Sequence, residues 1–70
     1  MSEFNYSKLL GRIKEKGYTQ VELAKAIGIG ETSLNFKLNN KSLFRQDEIV
    51  SIANLLDIPA ADYEAYFFAH

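Results

Sequence analysis

The sequence predicts an all-α fold, a compact four- to five-helix bundle containing a helix-turn-helix, in a single domain spanning residues 1–70. Three observations predict it. Apolar residues recur at three- and four-residue spacings, the period of helices that bury one face. The stretch from Thr19 to Asn40, TQVELAKAIGIGETSLNFKLNN, reads as two short helices joined by a tight glycine turn. The chain has 70 residues and no cysteine. At that size a helical bundle is the economical way to build a core without crosslinks.

The elements follow in order. Residues 1–5 are expected to form a loose lead-in. A first helix is placed at about residues 6–16, with Asn5 or Ser7 as its cap. Tyr6, Leu9 and Ile13 form its inner stripe, with Leu10 at the flank. Gly11 costs about 1 kcal/mol relative to alanine inside a helix, so it is expected to mark a close helix–helix contact. Lys14 and Lys16 suit the negative end of the helix dipole. Gly17 closes the helix, and Tyr18 folds back over it, its hydroxyl also able to reach a phosphate.

Thr19 and Glu22 have the spacing of a capping box at the start of the second helix. Leu23, Ala24 and Ile27 mark its inner face. Ala24 is small enough to let the next helix approach closely. Gly28 follows where the chain needs a positive φ, and Ile29 plugs the turn. The third helix runs from about residue 31 to 38, with Leu34 and Leu38 inward. Asn39-Asn40 ends it, Asn being the next-best residue after Gly at a left-handed cap. Leu43 and Phe44 are expected to anchor the loop that follows. A fourth helix at about residues 46–56 carries Ile49, Ile52, Ala53 and Leu56 on one face, with Asp47 and Glu48 at its positive end. Pro59 breaks this helix and can open another. The tail, AADYEAYFF, reads as a short fifth helix with Tyr63, Tyr66 and Phe67 inward. A short extended segment over residues 63–68 is the alternative. Four aromatics in six residues exceed what one helix face hides, which leaves Phe68 or Tyr66 exposed, as a flap over the core or a dimer contact.

Net charge is −1, but it is unevenly spread. Residues 1–45 hold all eight Lys and Arg and carry +4; residues 46–70 carry −5. Such a dipole can turn a basic face toward phosphates. The single histidine is residue 70, there is no thiol nucleophile, and no phosphate loop or metal-ligand spacing appears. An enzyme, a metal or other cofactor, and a small-molecule substrate are therefore not expected. No apolar run is long enough for a membrane span, and the absence of cysteine fits a reducing cytoplasm.

With these residues in view, the chain resembles the phage repressor and Cro family of helix-turn-helix regulators, the lambda-repressor-like domains. The resemblance runs from about Ser7 to Ile58. It is strongest where Gln20, Ala24, Gly28 and Leu34 stand at the matching positions, and it continues through LNNKS and the fourth helix. In several respects this sequence departs from that pattern. Gly30 stands where a polar cap residue, often Ser, is usual. Lys37 occupies a place that is often apolar, so its stem is expected to pack while the ammonium reaches out. Asn40 stands where Gly is usual. Glu31 puts a carboxylate at the tip of the third helix, where it would either accept from a cytosine amino group or complement the helix dipole.

The resemblance implies a sequence-specific, double-stranded DNA-binding regulator of transcription in a bacterial host cytoplasm, acting at a phage or prophage operator. The third helix would then enter the major groove N-terminus first. Glu31, Thr32, Asn35 and Phe36 are the candidates for base edges: Asn35 can pair with adenine, and Thr32 and Phe36 can touch a thymine methyl. For Phe36, packing against Phe44 or the first helix is the alternative. Gln20 at the second helix, with Lys37, Asn39, Asn40, Lys41, Ser42 and Arg45 after the third, are the candidate phosphate contacts. One module reads few base pairs, so a homodimer, formed on DNA alone if not before, is expected. The rival reading is a protein-interaction module, antirepressor- or antitoxin-like, that grips a partner with Phe36 or the aromatic tail.

Overall fold

A capping box at Thr19 and Glu22 fixes one helix start, and the spacing of apolar residues sets how the helices pack. In the computed structural model, which describes residues 3–70, the elements are α1 (Ser7–Glu15), α2 (Gln20–Ile27), α3 (Glu31–Leu38), α4 (Gln46–Leu55), a single 3₁₀ turn (Ala60–Asp62) and α5 (Tyr63–Phe67). No strand occurs among the described residues. No helix among them is long and apolar enough to cross a membrane.

Each helix contributes to one core. Leu9 and Ile13 come from α1, Leu23 and Ala24 from α2, Leu34 and Leu38 from α3, and Ile49, Ile52 and Ala53 from α4; Phe67 of α5 closes it. Leu56 and Ile58, just beyond α4, are also buried. Tyr6 is buried beside Phe44, their rings edge-to-face at 5.4 Å. That burial pushes the Tyr6 phenol above its usual range. The tail is helical, as the inward spacing of its aromatics predicts, and Phe68 is the exposed one.

The carbonyls just past α4 are met by α1. Arg12 Nε donates to the Leu56 carbonyl at 2.9 Å and Nη2 to that of Asp57 at 3.2 Å. Its Nη1 donates to Glu15 at 2.7 Å, which raises the guanidinium pKa further. Asp57 itself sits in the left-handed region at φ 56°. Lys16 donates to its carboxylate at 2.9 Å and holds that carboxyl below the ordinary range.

Three expectations are corrected. Gly11 faces open space rather than a neighbouring helix: a Cβ there would meet nothing within 4 Å. It is an exposed helical glycine on the side of α1 away from the core. Leu43 is 71% exposed and anchors nothing; Phe44 alone turns in from that loop. The lead-in, whose first two residues lie outside the described ones, is tied down from Glu3 onward. The Asn5 N–H donates to the Ala69 carbonyl at 2.6 Å, and Phe4 packs on Phe68 and His70. The reason is the tail: its aromatics give the arm an apolar surface to lie on, which local periodicity in residues 1–5 does not reveal.

Candidate recognition face

The α2–α3 corner is built as its residues dictate. The Thr19 hydroxyl accepts from the Glu22 N–H at 3.1 Å while the Glu22 carboxylate accepts from the Thr19 N–H at 2.9 Å, a complete capping box. Gly28 ends α2 in the left-handed region at φ 80°, and the Ile29 N–H donates back to the Ala24 carbonyl at 3.0 Å. A Cβ on Gly28 would meet no neighbour, so backbone conformation alone decides the cost of filling it. Gly28→Ala is expected to lose about 1–2 kcal/mol in urea unfolding, with the folded-state spectrum unchanged.

This corner turns one side of α3 outward. Glu31, Thr32, Ser33, Asn35 and Phe36 are all exposed, while Leu34 and Leu38 are buried. The four candidates for base edges therefore lie together on the free side of one helix. Phe36 is 47% exposed. It is not one of the side chains that make or pack against the core cluster. Gly30 caps α3 without a side-chain hydrogen bond, which leaves the helix N-terminus to Glu31.

The candidate phosphate contacts are less uniform. Gln20 stands half-buried as the first residue of α2, and Lys41 and Ser42 are exposed just past α3. Asn39 is exposed, and its amide donates to the Asn35 carbonyl at 2.8 Å. Arg45 is exposed, with its Nε 3.4 Å from the Asp47 carboxylate. Asn40, at φ 62°, spends its amide internally: Oδ1 accepts from the Phe4 N–H and Nδ2 donates to the Phe4 carbonyl, each at 2.9 Å.

Lys37 departs most from expectation. Its ammonium does not reach out; it turns inward and donates to both carboxylate oxygens of Glu48 on α4. Lys37 is 9% exposed and Glu48 7%. Glu48 is held there by its place in the first turn of α4, where Oε1 also accepts from the Arg45 N–H at 2.8 Å. The sequence held a signal for this. Lys37 falls three residues after the buried Leu34, on the inner side of α3, and Glu48 falls three after Arg45, where a carboxylate curls back over a helix start. The outward face of α3 is thus left with Glu31 as its one formal charge. Among the described residues no group of His, Asp and Glu side chains could hold a metal ion.

The corner, the outward α3 and the surrounding core define a small all-α helix-turn-helix domain. A family model described as "Protein of unknown function (DUF739)" matches residues 1–70, and the chain belongs to that family. Among solved structures it is similar to the modulator of repression (MOR) of the temperate bacteriophage TP901-1 from Lactococcus lactis, determined in solution. The two share 40% sequence identity over 93% of this chain and 88% of that one, with a TM-score of 0.79. The chain is therefore a homologue of a phage regulatory protein. No curated protein matches it.

Proposed function

We propose that this chain is a phage regulator that modulates repression by gripping a partner protein with the outward face of α3, and that it carries no catalytic activity. One observation carries the reading: Phe36 stands half-exposed among Glu31, Thr32, Ser33 and Asn35, while the only cation of α3 is neutralised inside the molecule. A duplex is held chiefly by cations on its phosphates. An apolar side chain in a polar rim, with few net charges, is instead the anatomy of a protein interface. The partner then offers a pocket for Phe36 and a basic group for Glu31. The name of the TP901-1 relative, a modulator of repression, points to a phage repressor as that partner.

Sequence-specific reading of an operator is the second reading. Thr32 and Asn35 face outward one turn apart, and Gln20 stands at the start of α2. Lys41, Ser42, Asn39 and Arg45 would supply the phosphate contacts, and a homodimer on DNA would supply the second half-site.

The two readings separate in one pair of measurements. The purified chain is titrated against the repressor of the same phage, and in parallel challenged with a pool of random duplexes at fixed salt. Binding to the repressor is expected, with no duplex enriched. Phe36→Ala is expected to weaken that binding about thirty-fold or more, as for an interface anchor, and to leave unfolding within about 0.5 kcal/mol. Enrichment of one duplex sequence that Asn35→Ala relaxes at a single position would establish the operator reading instead.

A further inference from the structure

We infer that Glu48 is a specificity-determining residue: by drawing the Lys37 ammonium into the α3–α4 interface, it keeps cationic charge off the recognition face and so holds the chain away from nucleic-acid phosphates. The inference rests on the reading of α3 as a protein-gripping face and adds a mechanism for its selectivity.

Lys37 is the only Lys or Arg in α3. A lysine at the inner edge of a helix ordinarily lays its stem on the core and extends its ammonium to water. Here the opposite happens, because a carboxylate of opposite charge is fixed within reach. Glu48 is immobilised by its own bond from the Arg45 N–H, so the acceptor is in place independently of Lys37. Both side chains are about nine-tenths buried, and no buried side-chain nitrogen or oxygen among the described residues lacks a partner. The pair gains Coulomb energy at the cost of desolvating both ions, so it adds little net stability over an apolar pair. Its distinctive effect is on the outside, where the α3 face carries one negative charge. Partner choice is a difference of affinities, and removing a cation acts against the unwanted partner.

Glu48→Gln tests this. The Gln carbonyl oxygen can still accept from the Arg45 N–H, but the amide is neutral. A buried ammonium without a counter-charge is costly, and the flexible stem lets Lys37 turn outward. Two results are expected. Lys37 becomes reactive toward an amine-acylating reagent read by mass spectrometry. Mixed-sequence duplex then binds roughly three-fold tighter at 50 mM than at 200 mM salt beyond the native dependence, the slope steepening by about 0.9 as for one added phosphate contact. Glu64→Gln makes the same change in net charge at an exposed position of α5 and is expected to leave duplex binding at the native level. Lys37→Met combined with Glu48→Met is expected to do so too.

A protected Lys37, a reactive Lys37 with native duplex binding, or an equal gain from Glu64→Gln would each overturn the inference. Should Glu48→Gln fail to fold, Asn39→Lys places an ammonium at the exposed end of α3 with the pair intact. Tighter duplex binding then supports the inference, and unchanged binding overturns it. Failure of the repressor titration would instead sink the protein-gripping reading, since the duplex measurements do not involve the repressor.

Discussion

Phe67→Ala is expected to unfold most of the chain at 25 °C, read by circular dichroism as loss of helical signal and of a cooperative thermal transition. Phe67 is 1% exposed, the largest of the fully buried side chains. Its ring meets Phe44 at 6.0 Å and Tyr63 at 6.1 Å, both edge-on. Truncating a buried Phe removes its transfer energy and leaves a cavity, about 3–5 kcal/mol together. A core of this size supplies a similar total, about 3–5 kcal/mol. The edge-on contacts are lost as well, and Phe44 then keeps only the Tyr6 ring. An exposed aromatic provides the comparison: Phe68, 44% exposed, has far less to lose on truncation.

The second large effect is at the buried ion pair. Lys37→Met leaves the Glu48 carboxylate buried with the Arg45 N–H as its remaining donor. Breaking such a pair from one side costs about 3–5 kcal/mol, because the surviving charge is neither solvated nor paired. Lys37→Met with Glu48→Met is expected to recover most of that loss, since an apolar pair of similar volume is often neutral or better. Urea unfolding of both single variants and the double variant gives the coupling directly. Equal stability of the single and double variants would mean that water reaches Glu48.

The parts of this fold that were legible in the sequence are those set by near neighbours. The capping box at Thr19, the left-handed Gly28, the small Ala24 and the inward Leu34 lie within one stretch and depend on backbone rules that act over a few residues. They suffice to place α3 and to turn Glu31, Thr32, Asn35 and Phe36 outward. What was illegible depends on partners far along the chain. On α3 alone Lys37 reads as an outward cation, because its acceptor is eleven positions away on another helix and only the place of Glu48 in the first turn of α4 hints at it. The Asn40 amide meets the Phe4 backbone, thirty-six positions away, which no local pattern reveals. Leu43 shows the converse: apolar character in a loop suggests an anchor, but Phe44 beside it already fills the space against Tyr6 and Phe67. A side chain's chemistry was readable, but which of two competing partners it meets was not.

The Asn40 amide has a kinetic consequence. It buckles the arm at Phe4 to the exit of α3, while Ala69 fastens the same arm from the other side. This seam joins distant segments and rests on few hydrogen bonds. Closing it requires ordering a long stretch of chain, whereas the α2–α3 corner closes over a handful of residues. The corner is therefore expected to assemble before the seam, and amide hydrogen exchange is expected to be faster at the Asn5 N–H than at the Ile29 N–H. Such breathing would bare the aromatic lining beneath Phe4 and leave the corner standing.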